Sequence, residues 1–443
     1  MKMTTRALTV CLTLAAACSS SEPPPESVIL FEGARLITGS DDPPVENAAF
    51  LVEDDVIARV GRSGDFTLPD GARRVDLTGK TVMPALIDLH SHLGYTDVKG
   101  MTTSADNFTR ANLVEHLQRY AYYGIAATLS MGVDRGDVPF QLRDEPVAGA
   151  ALFRTAGSGI ARPNAGPGAD YRRDAASGVS SKDEAREVVR ELAARNVDMV
   201  KIWVDDRDGT VDKLTPSLYQ AIIDETHVHG LRVVAHIFYL ADAKGLLQAG
   251  IDGFAHGVRD TDIDGEFLAL MRDWPEVFVI PNLPDRGDAE DLAWLRDTLP
   301  SAEVERMQNA ATSRSEEAAR RMREMFDVQA RNLARLNAAG ARIGFGTDAG
   351  ISVGWTAHAE LADMVTAGMT PAEVIVAATR TSAEILGLDQ LGLVAPGKSA
   401  DFIVLDANPL DDITNTRRIS SVYLRGAEVD RAALSTRWTG QAP

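Results

Sequence analysis

Cysteine is almost absent from this sequence of 443 residues. Cys11 and Cys18 are the two cysteines, and the chain that follows them has no thiol. This absence excludes disulfides from the folded body, which must be held together by its core. It also excludes thiolate metal ligands, so any metal site must use His, Asp, Glu or Lys.

Positive charge is scarce as well. Lys and Arg number 45 against 64 Asp and Glu, which gives a formal net charge of −19 at pH 7. Nucleic-acid binding requires basic patches that neutralise phosphates, so this balance argues against a nucleic-acid partner. For the same reason the folded body is not expected to bind an anionic membrane surface.

Long hydrophobic runs are missing apart from one near the N-terminus. This run, "ALTVCLTLAAA", occupies 7–17 and is too short to span a bilayer. Lys2 and Arg6 precede it, and the combination is typical of a signal peptide over 1–17. The sequence therefore predicts an exported protein.

The predicted signal peptide is followed by Cys18 and Ser19. This end of the leader resembles that of bacterial lipoproteins, although Ala15 stands where that pattern prefers Leu. The resemblance implies lipidation of Cys18 and a periplasmic protein attached to the bacterial outer membrane through its lipid anchor only. Residues 18–27 are rich in Ser, Pro and Glu and are expected to form a disordered tether. Ordinary cleavage with release of the protein stays open as the alternative.

Beyond the tether the chain divides into three stretches. Residues 28–82 and 391–434 contain short β-like pieces separated by turns. In 83–390, eight apolar strand-like runs alternate with amphipathic helical patterns. This alternation predicts an α/β fold, a (β/α)8 TIM barrel. The flanking stretches predict a small β-sandwich domain built from both chain ends.

One segment departs from the regular alternation. Residues 285–340 are strongly helical and charged, and they are longer than one barrel helix requires. We interpret them as a helical insert. A solvated decoration, a lid and a contact between copies in a homo-oligomer all stay open as its role, because long inserts often carry function.

Polar side chains recur where the strand-like runs end. Because the carboxyl ends of barrel strands converge on one mouth, we expect these side chains to lie close together. The first two are two residues apart on a strand and therefore face the same side. The set consists of His90, His92, Lys201, His236, His256 and Asp348.

Each of these residues has a simpler interpretation when it is considered alone. A lone His236 or His256 is compatible with a hydrogen-bonded core histidine. Asp348 is compatible with a turn cap, and Lys201 with a buried ion pair. Together these interpretations require several coincidences in one ring, whereas a single metal centre accounts for the whole set.

In this order and spacing, the six residues resemble the amidohydrolase superfamily, in the subgroup with a binuclear metal centre. The C-terminal run from "AHAELADMV" to "GKSADFIVLDANP" is similar to the imidazolonepropionase-like and Xaa-Pro dipeptidase-like branch. The resemblance covers roughly 28–434. It implies a metal-dependent hydrolase that cleaves amide C–N bonds.

The resemblance also implies a role for Lys201, a charged residue inside the apolar run "VDMVKIWV". In such enzymes this lysine reacts with CO₂ to give a carbamate, N6-carboxylysine, which bridges two divalent metal ions. An apolar strand favours this chemistry, because burial lowers the pKa of a lysine and the neutral amine is the nucleophile.

The resemblance further implies the ligand sets and the mechanism. One metal would be held by His90, His92, the carbamate and Asp348, and the other by the carbamate, His236 and His256. Imidazole and oxygen ligands suit Zn²⁺, although Mn²⁺, Co²⁺ and Fe²⁺ stay open. A bridging hydroxide would attack the carbonyl carbon, and Asp348 would carry its proton to the leaving nitrogen.

The substrate is expected to be a small-molecule amide, a dipeptide or an N-acyl amino acid. Tyr239 is a candidate for assisting the carbonyl, although Phe238 occupies the position at which many members of the branch carry tyrosine. Arg154 and Arg162 are candidates for binding a substrate carboxylate, since guanidinium pairs bidentately with carboxylates. Surface salt bridges are the alternative for each arginine.

Other functions are compatible with the same motifs. A lactonase, a phosphotriesterase or a cyclic-amide hydrolase would use the same metal centre. A non-catalytic envelope binding lipoprotein is a further alternative, although the complete ligand set argues against it. A mononuclear deaminase would not need Lys201.

Overall fold

A computed structural model describes residues 28–68, 71–288 and 290–440. The predicted signal peptide, the tether and the lipidation site Cys18 lie outside these residues. Within them, no helix combines the length and the apolar content that a bilayer crossing requires.

The strands are numbered in chain order. They are β1 (Val28–Leu36), β2 (Val45–Glu53), β3 (Val56–Arg62), β4 (Arg73–Asp76), β5 (Thr81–Pro84), β6 (Leu86–Ser91), β7 (Thr96–Asp97), β8 (Thr102–Thr103), β9 (Ile125–Ser130), β10 (Leu152–Thr155), β11 (Ile160–Ala161), β12 (Ser177–Gly178), β13 (Val200–Val204), β14 (Val233–Ile237), β15 (Gly253–Ala255), β16 (Phe278–Ile280), β17 (Arg342–Ile343), β18 (Phe402–Leu405), β19 (Ile419–Leu424) and β20 (Ala427–Glu428).

The α-helices are numbered in the same way. They are α1 (Arg110–Tyr122), α2 (Val138–Asp144), α3 (Lys182–Ala194), α4 (Pro216–Val228), α5 (Leu240–Gln248), α6 (Gly265–Asp273), α7 (Ser301–Thr312), α8 (Glu316–Ala338), α9 (Thr356–Thr366), α10 (Pro371–Val376), α11 (Ser382–Leu386) and α12 (Arg431–Thr439). A π-helical turn, Ala377–Thr381, joins α10 to α11.

Both ends of the described chain contribute to one sheet of eight strands. Its order is β20-β19-β18-β5-β1-β2-β3, and β4 pairs with β1. The N-terminal strand β5 meets the C-terminal strand β18 in antiparallel register, with Val82 opposite Val404. The aromatic rings of Phe31, Phe402 and Tyr423 pack on one another in the core of this sheet, with centroids 4.7 to 5.1 Å apart.

The eight strand-like runs predicted for the barrel all form parallel strands. They are β6, β9, β10, β13, β14, β15, β16 and β17, and they lie in two sheets of the order β10-β9-β6 and β12-β11-β13-β14-β15-β16-β17. Strands β6, β9 and β13 are buried at every residue, as expected for parallel strands that are covered on both faces.

The predicted closed barrel needs one correction, because regular pairing of the described strands does not form a single closed ring. At one seam, Ile160 of β11 pairs with Ile202 of β13 in the place where β10 was expected. At the other seam β17 has two residues, and the backbone N–H of Leu89 donates to the carbonyl of Phe345 just beyond it, at 2.8 Å. A hydrogen bond outside the regular strands therefore bridges this second seam.

The insert predicted over 285–340 is helical in its larger part. It contains a short helix, Ala293–Asp297, followed by α7 and α8. Helix α8 is docked on the body of the protein, since the side chain of buried Asn332 donates to the carbonyl of Val258 at 3.0 Å and accepts from the N–H of Ile263 at 2.8 Å.

Candidate metal centre

Five of the six predicted residues lie at the carboxyl ends of the parallel strands or in the segments that follow them, and Lys201 lies within β13. Two backbone hydrogen bonds fix the end of β6 against the segment that follows β17. The N–H of Asp348 donates to the carbonyl of His90 at 2.7 Å, and the N–H of His92 donates to the carbonyl of Ala349 at 2.7 Å. Asp348 has a positive φ of 51°, a conformation that aspartate tolerates better than most residues.

Asp348 joins three of the histidines. Its Oδ1 atom lies 2.9 Å from Nε2 of His92 and 3.5 Å from Nε2 of His90. Its Oδ2 atom lies 3.9 Å from Nε2 of His256. Ligand atoms of His90, His256 and Asp348 all fall within 4.8 Å of one another, which is the arrangement a shared metal ion requires.

The four histidines form a row of adjacent rings, which we call the histidine row. The ring centroids of His92 and His90 are 5.0 Å apart, and those of His90 and His256 are also 5.0 Å apart. His236 follows at 4.7 Å from His256. The sequence therefore predicted correctly that these side chains converge.

Lys201 is the second residue of β13. Its side chain is 0% exposed, and its Nζ atom has no hydrogen-bond partner among the described residues. Burial lowers the pKa of Lys201 to about 7, because the charged form is poorly solvated there. Gly132 leaves room for the lysine stem, since a Cβ atom at that position would lie 2.8 Å from Cβ of Lys201.

Hydrogen bonds orient two of the imidazoles. Nδ1 of His90 donates to Oδ1 of Asn282 at 2.8 Å, which leaves Nε2 free to bind a metal. Nε2 of His236 lies 3.2 Å from Oδ2 of Asp205, so that Nδ1 is the free nitrogen of this ring. Neither Asn282 nor Asp205 was predicted from the sequence.

Asp88 ties the end of β6 to the loop that carries Asp348. It is fully buried and accepts hydrogen bonds from the N–H of His90, from the N–H and hydroxyl of Thr347 and from the hydroxyl of Tyr120. Burial raises the pKa of Asp88 to about 6, although these donors oppose the shift. The "IDLHSH" motif contains this aspartate, but two of its partners, Tyr120 and Thr347, are distant in sequence.

The environment keeps the histidines neutral. Burial lowers the pKa of His92 and of His236 to about 4, and it lowers the pKa of His90 and His256 well below the usual value. A neutral imidazole is the form that binds metals. Burial alone would raise the pKa of Asp348, but the neighbouring histidines hold it well below its usual range.

A cavity of about 360 Å³ opens beside His236. Aromatic rings and charged side chains line it together, as is common in sites for small molecules. The side chains that line it are Trp203, Asp205, Arg207, Asp208, His236, Phe238, Tyr239 and Arg259.

The three predicted substrate contacts are placed differently. Tyr239 lines the cavity, and its hydroxyl lies 3.0 Å from Oδ1 of Asp206 and 3.2 Å from Oδ1 of Asp208. Arg154 and Arg162 do not line it. Their side chains have partners elsewhere.

Nε of Arg154 lies 3.5 Å from Oδ1 of Asp198. Nη1 of Arg162 donates to the carbonyl of Val179 at 3.0 Å, and its Nη2 lies 3.6 Å from Oδ2 of Asp212. Contacts of this kind correspond to the salt-bridge alternative, and carboxylate binding by these two arginines stays a prediction.

The residues present fit a divalent metal. Nδ1 of His92, Nδ1 of His256 and Nζ of Lys201 are buried polar atoms without a hydrogen-bond partner in the described chain. Buried polar atoms are rarely left in this state, and several of them in one site indicate that a partner is missing. The donor set of imidazole and oxygen suits zinc.

Comparison with known proteins agrees with this geometry. The amidohydrolase family matches residues 81–429. Imidazolonepropionase of Streptomyces griseus subsp. griseus is 24% identical over 384 residues, which are 82% of this chain and 86% of that protein. Ochratoxinase of Aspergillus niger is 24% identical over 426 residues, covering 86% and 82%.

Among solved structures, a candidate prolidase from Bifidobacterium longum superposes with a TM-score of 0.73. It is 26% identical, and the superposition covers 92% of this chain and 95% of that one. These similarities confirm the predicted branch and imply a (β/α)8 barrel with a β-sandwich domain. The chain belongs to the amidohydrolase family and is a metal-dependent hydrolase of C–N bonds.

Proposed function

We propose that this protein hydrolyses the amide bond of a dipeptide or of an N-acyl amino acid. The observation that carries the proposal is the buried Nζ atom of Lys201, which has no hydrogen-bond partner in the described chain. Its charge interacts with Asp348 and with His90, so it lies within electrostatic reach of the proposed metal ligands. Similarity to ochratoxinase and to a candidate prolidase supports this class of substrate.

Lys201 is proposed to react with CO₂. With its pKa lowered to about 7, a large fraction of the amine is neutral at pH 7. The neutral nitrogen attacks the carbon of CO₂, a new N–C bond forms and one proton is released. The product is an anionic carbamate, which replaces an unpartnered cation by an oxygen ligand.

The proposed ligands of two divalent ions, taken as Zn²⁺, are His90, His92, His236, His256, Asp348 and the Lys201 carbamate. When bound, such ions polarise an amide carbonyl and lower the pKa of water. Asn282 and Asp205 orient His90 and His236 toward them.

Asp348 is proposed to carry the proton. Its pKa is held well below the usual range, so it is ionised at neutral pH and accepts a proton from the attacking water. Oδ2 is the atom we assign, because Oδ1 already faces His92 at 2.9 Å. Asp348 then delivers this proton to the leaving nitrogen as the C–N bond breaks.

We also propose the finer architecture. The two parallel sheets would be arcs of one eight-stranded barrel over 83–390, with the insert 285–340 in it. Residues 28–82 and 391–434 would form the separate β-sandwich domain. The pairing of β5 with β18 supports this division.

Attachment to the outer membrane through Cys18 is proposed from the leader alone. The protein should fractionate with membranes, because a lipid anchor of several acyl chains holds firmly. Cys18→Ser should abolish lipidation. Recovery of the wild-type protein in soluble form with an unmodified N-terminus would contradict the anchor.

Metal analysis coupled to a substrate screen tests the enzymatic proposal. The purified protein should bind about two divalent ions per chain when CO₂ is supplied, and should cleave members of a panel of dipeptides and N-acyl amino acids. Failure of the metal-loaded protein to cleave any amide would overturn the proposal.

Lys201→Ala should lose most of the bound metal, and short carboxylic acids should restore part of it. Lys80→Ala is the matched control, because Lys80 pairs on the surface with Asp406 at 2.5 Å. Wild-type metal content and activity in Lys201→Ala would exclude the carbamate.

A further inference from the structure

Two arginines beside the histidine row have no hydrogen-bond or ion-pair partner for their side chains among the described residues. The guanidinium groups of Arg172 and Arg259 make no hydrogen bond or ion pair with another described residue, and the Nε atom of each is buried. Arg207, which lines the same cavity as Arg259, is different because it donates to the carbonyl of Gly166. A buried polar group without a partner destabilises the free protein, so a missing partner is expected.

The two arginines lie at opposite ends of the histidine row. Arg172 belongs to the short helix Asp170–Ala175, and its Nη1 atom lies 3.0 Å from the position that a Cβ atom would take at Gly350, where Cβ of His92 is 3.7 Å away. Arg259 follows His256 by three residues and lines the cavity beside His236, at the other end of the row. Both arginines therefore border the histidine row.

Arg259 is held in place by its backbone while its side chain stays free. Its N–H donates to the carbonyl of Phe238 at 2.9 Å. Its side chain lines the cavity together with the rings of Trp203 and Phe238. A group that carries an anion next to an aromatic or apolar side chain would therefore fit on this side.

We propose that Arg172 and Arg259 each bind one carboxylate of the substrate, which carries an anionic group on each side of the scissile amide. The planar guanidinium fork matches a carboxylate with two parallel hydrogen bonds. The inference rests on the proposed hydrolysis and narrows its substrate to dianionic amides. Water adds to the carbonyl carbon, the C–N bond breaks and the nitrogen takes a proton, so that a dicarboxylate and an amino acid are released.

Four related amides test this inference. N-succinyl-phenylalanine carries both carboxylates, N-butyryl-phenylalanine keeps the one on the amine side, N-succinyl-phenylalaninamide keeps the one on the acyl side, and N-butyryl-phenylalaninamide has neither. For the wild-type enzyme, loss of either carboxylate should lower kcat/KM by about 10- to 100-fold. Arg172→Gln and Arg259→Gln should each remove one of these two preferences, and not the same one.

A binding measurement gives a second readout that does not depend on turnover. Calorimetry should show that the metal-loaded protein binds glutarate about tenfold or more tightly than butyrate, and each variant should lose most of this difference. Arg190→Gln is the matched control, because its guanidinium already pairs with Glu187 and Glu225. It should keep both preferences.

The outcomes separate the inference from the function on which it rests. Variants that retain both preferences would overturn the inference. Loss of bound metal in Arg172→Gln or Arg259→Gln would also overturn it. In that case the arginines would act as partners of the anionic Lys201 carbamate and not of the substrate. If the wild-type protein cleaves neither the four amides nor any member of the panel but prefers glutarate, the proposed hydrolysis fails while the two anion sites are supported.

Discussion

Nδ1 of His90 donates to the side-chain oxygen of Asn282 across a distance of 2.8 Å. Asn282 has a positive φ of 47° and is separated from the end of β16 by Pro281 alone. The next residue, Leu283, donates its N–H to both carboxylate oxygens of buried Glu360, at 3.0 and 3.2 Å. Helix α9, which carries Glu360, therefore fixes the loop whose amide selects the imidazole tautomer.

Asn282→Leu should weaken metal binding by roughly 10- to 100-fold, because the ring of His90 would lose the acceptor that orients it. Asn282→Asp keeps an acceptor at this position and should bind metal more tightly than the leucine variant. Titration of the metal-free proteins with zinc measures both affinities. Equal affinities in the wild type and the leucine variant would remove Asn282 from the site.

Asp348→Asn should lower turnover by several orders of magnitude, since an amide does not accept the proton that the carboxylate carries. Because Asp348 is also a proposed ligand, kcat must be measured at saturating zinc and beside the metal content. A variant with full metal content and unchanged kcat would show that another group moves the proton.

The stability of the protein should decrease as the pH falls from about 6.5 to 4, in part because of His116. Its Nδ1 accepts from the N–H of Gly94 at 3.1 Å and its Nε2 donates to the carbonyl of Thr96 at 2.7 Å, which requires a neutral ring. Burial lowers the pKa of His116 to about 4 in the folded state. In the unfolded chain, where the pKa is about 6.5, the ring binds a proton throughout this window.

The folded state therefore loses up to about 1.4 kcal/mol of stability per pH unit from this group as the pH falls. His116→Leu should be less stable at pH 7. The slope of its unfolding free energy against pH should correspond to about one proton fewer taken up on unfolding. Urea unfolding between pH 4.5 and 7, at equal metal loading, measures the two slopes. Identical slopes would show that His116 is protonated in the folded protein.

Tyr239→Phe should lower kcat/KM by less than about tenfold. Burial and the carboxylate of Asp206 raise the pKa of Tyr239 to about 12, and the hydroxyl already has Asp206 and Asp208 as partners. A hydroxyl held in this way donates poorly to a substrate carbonyl. Steady-state kinetics on the best substrate of the panel decide the question, and a loss of a thousandfold would restore the role expected from the sequence.

It was predictable that the histidines converge with Lys201 and Asp348, because this follows from the regular alternation of strand-like and helical patterns along the chain. Polar residues at the carboxyl ends of buried parallel strands all lie at the same edge of the sheet. Thus His90 and Asp348 could be matched before their distance was known. The family followed from the same motifs and is confirmed by the match over 81–429.

The residues that surround these ligands were not predictable in this way. Asn282 is 192 positions from His90 in sequence, and the loop that brings it back has no periodic pattern. Arg154 and Arg162 were selected for their charge alone. Charge does not reveal that Asp198 and Val179 lie next to them, and partners of this kind decide whether an arginine is free for a ligand.

The antiparallel pairing of β5 with β18 also has a consequence for how the protein is made. Val82 and Val404 are roughly 320 residues apart in the chain, and at about 5–20 residues per second a ribosome needs roughly 15 to 65 s to cover that interval. Throughout this time one edge of β5 has no partner strand, and an open edge is a template for pairing with another chain. The newly made N-terminal strands therefore need protection from aggregation until β18 has been synthesised.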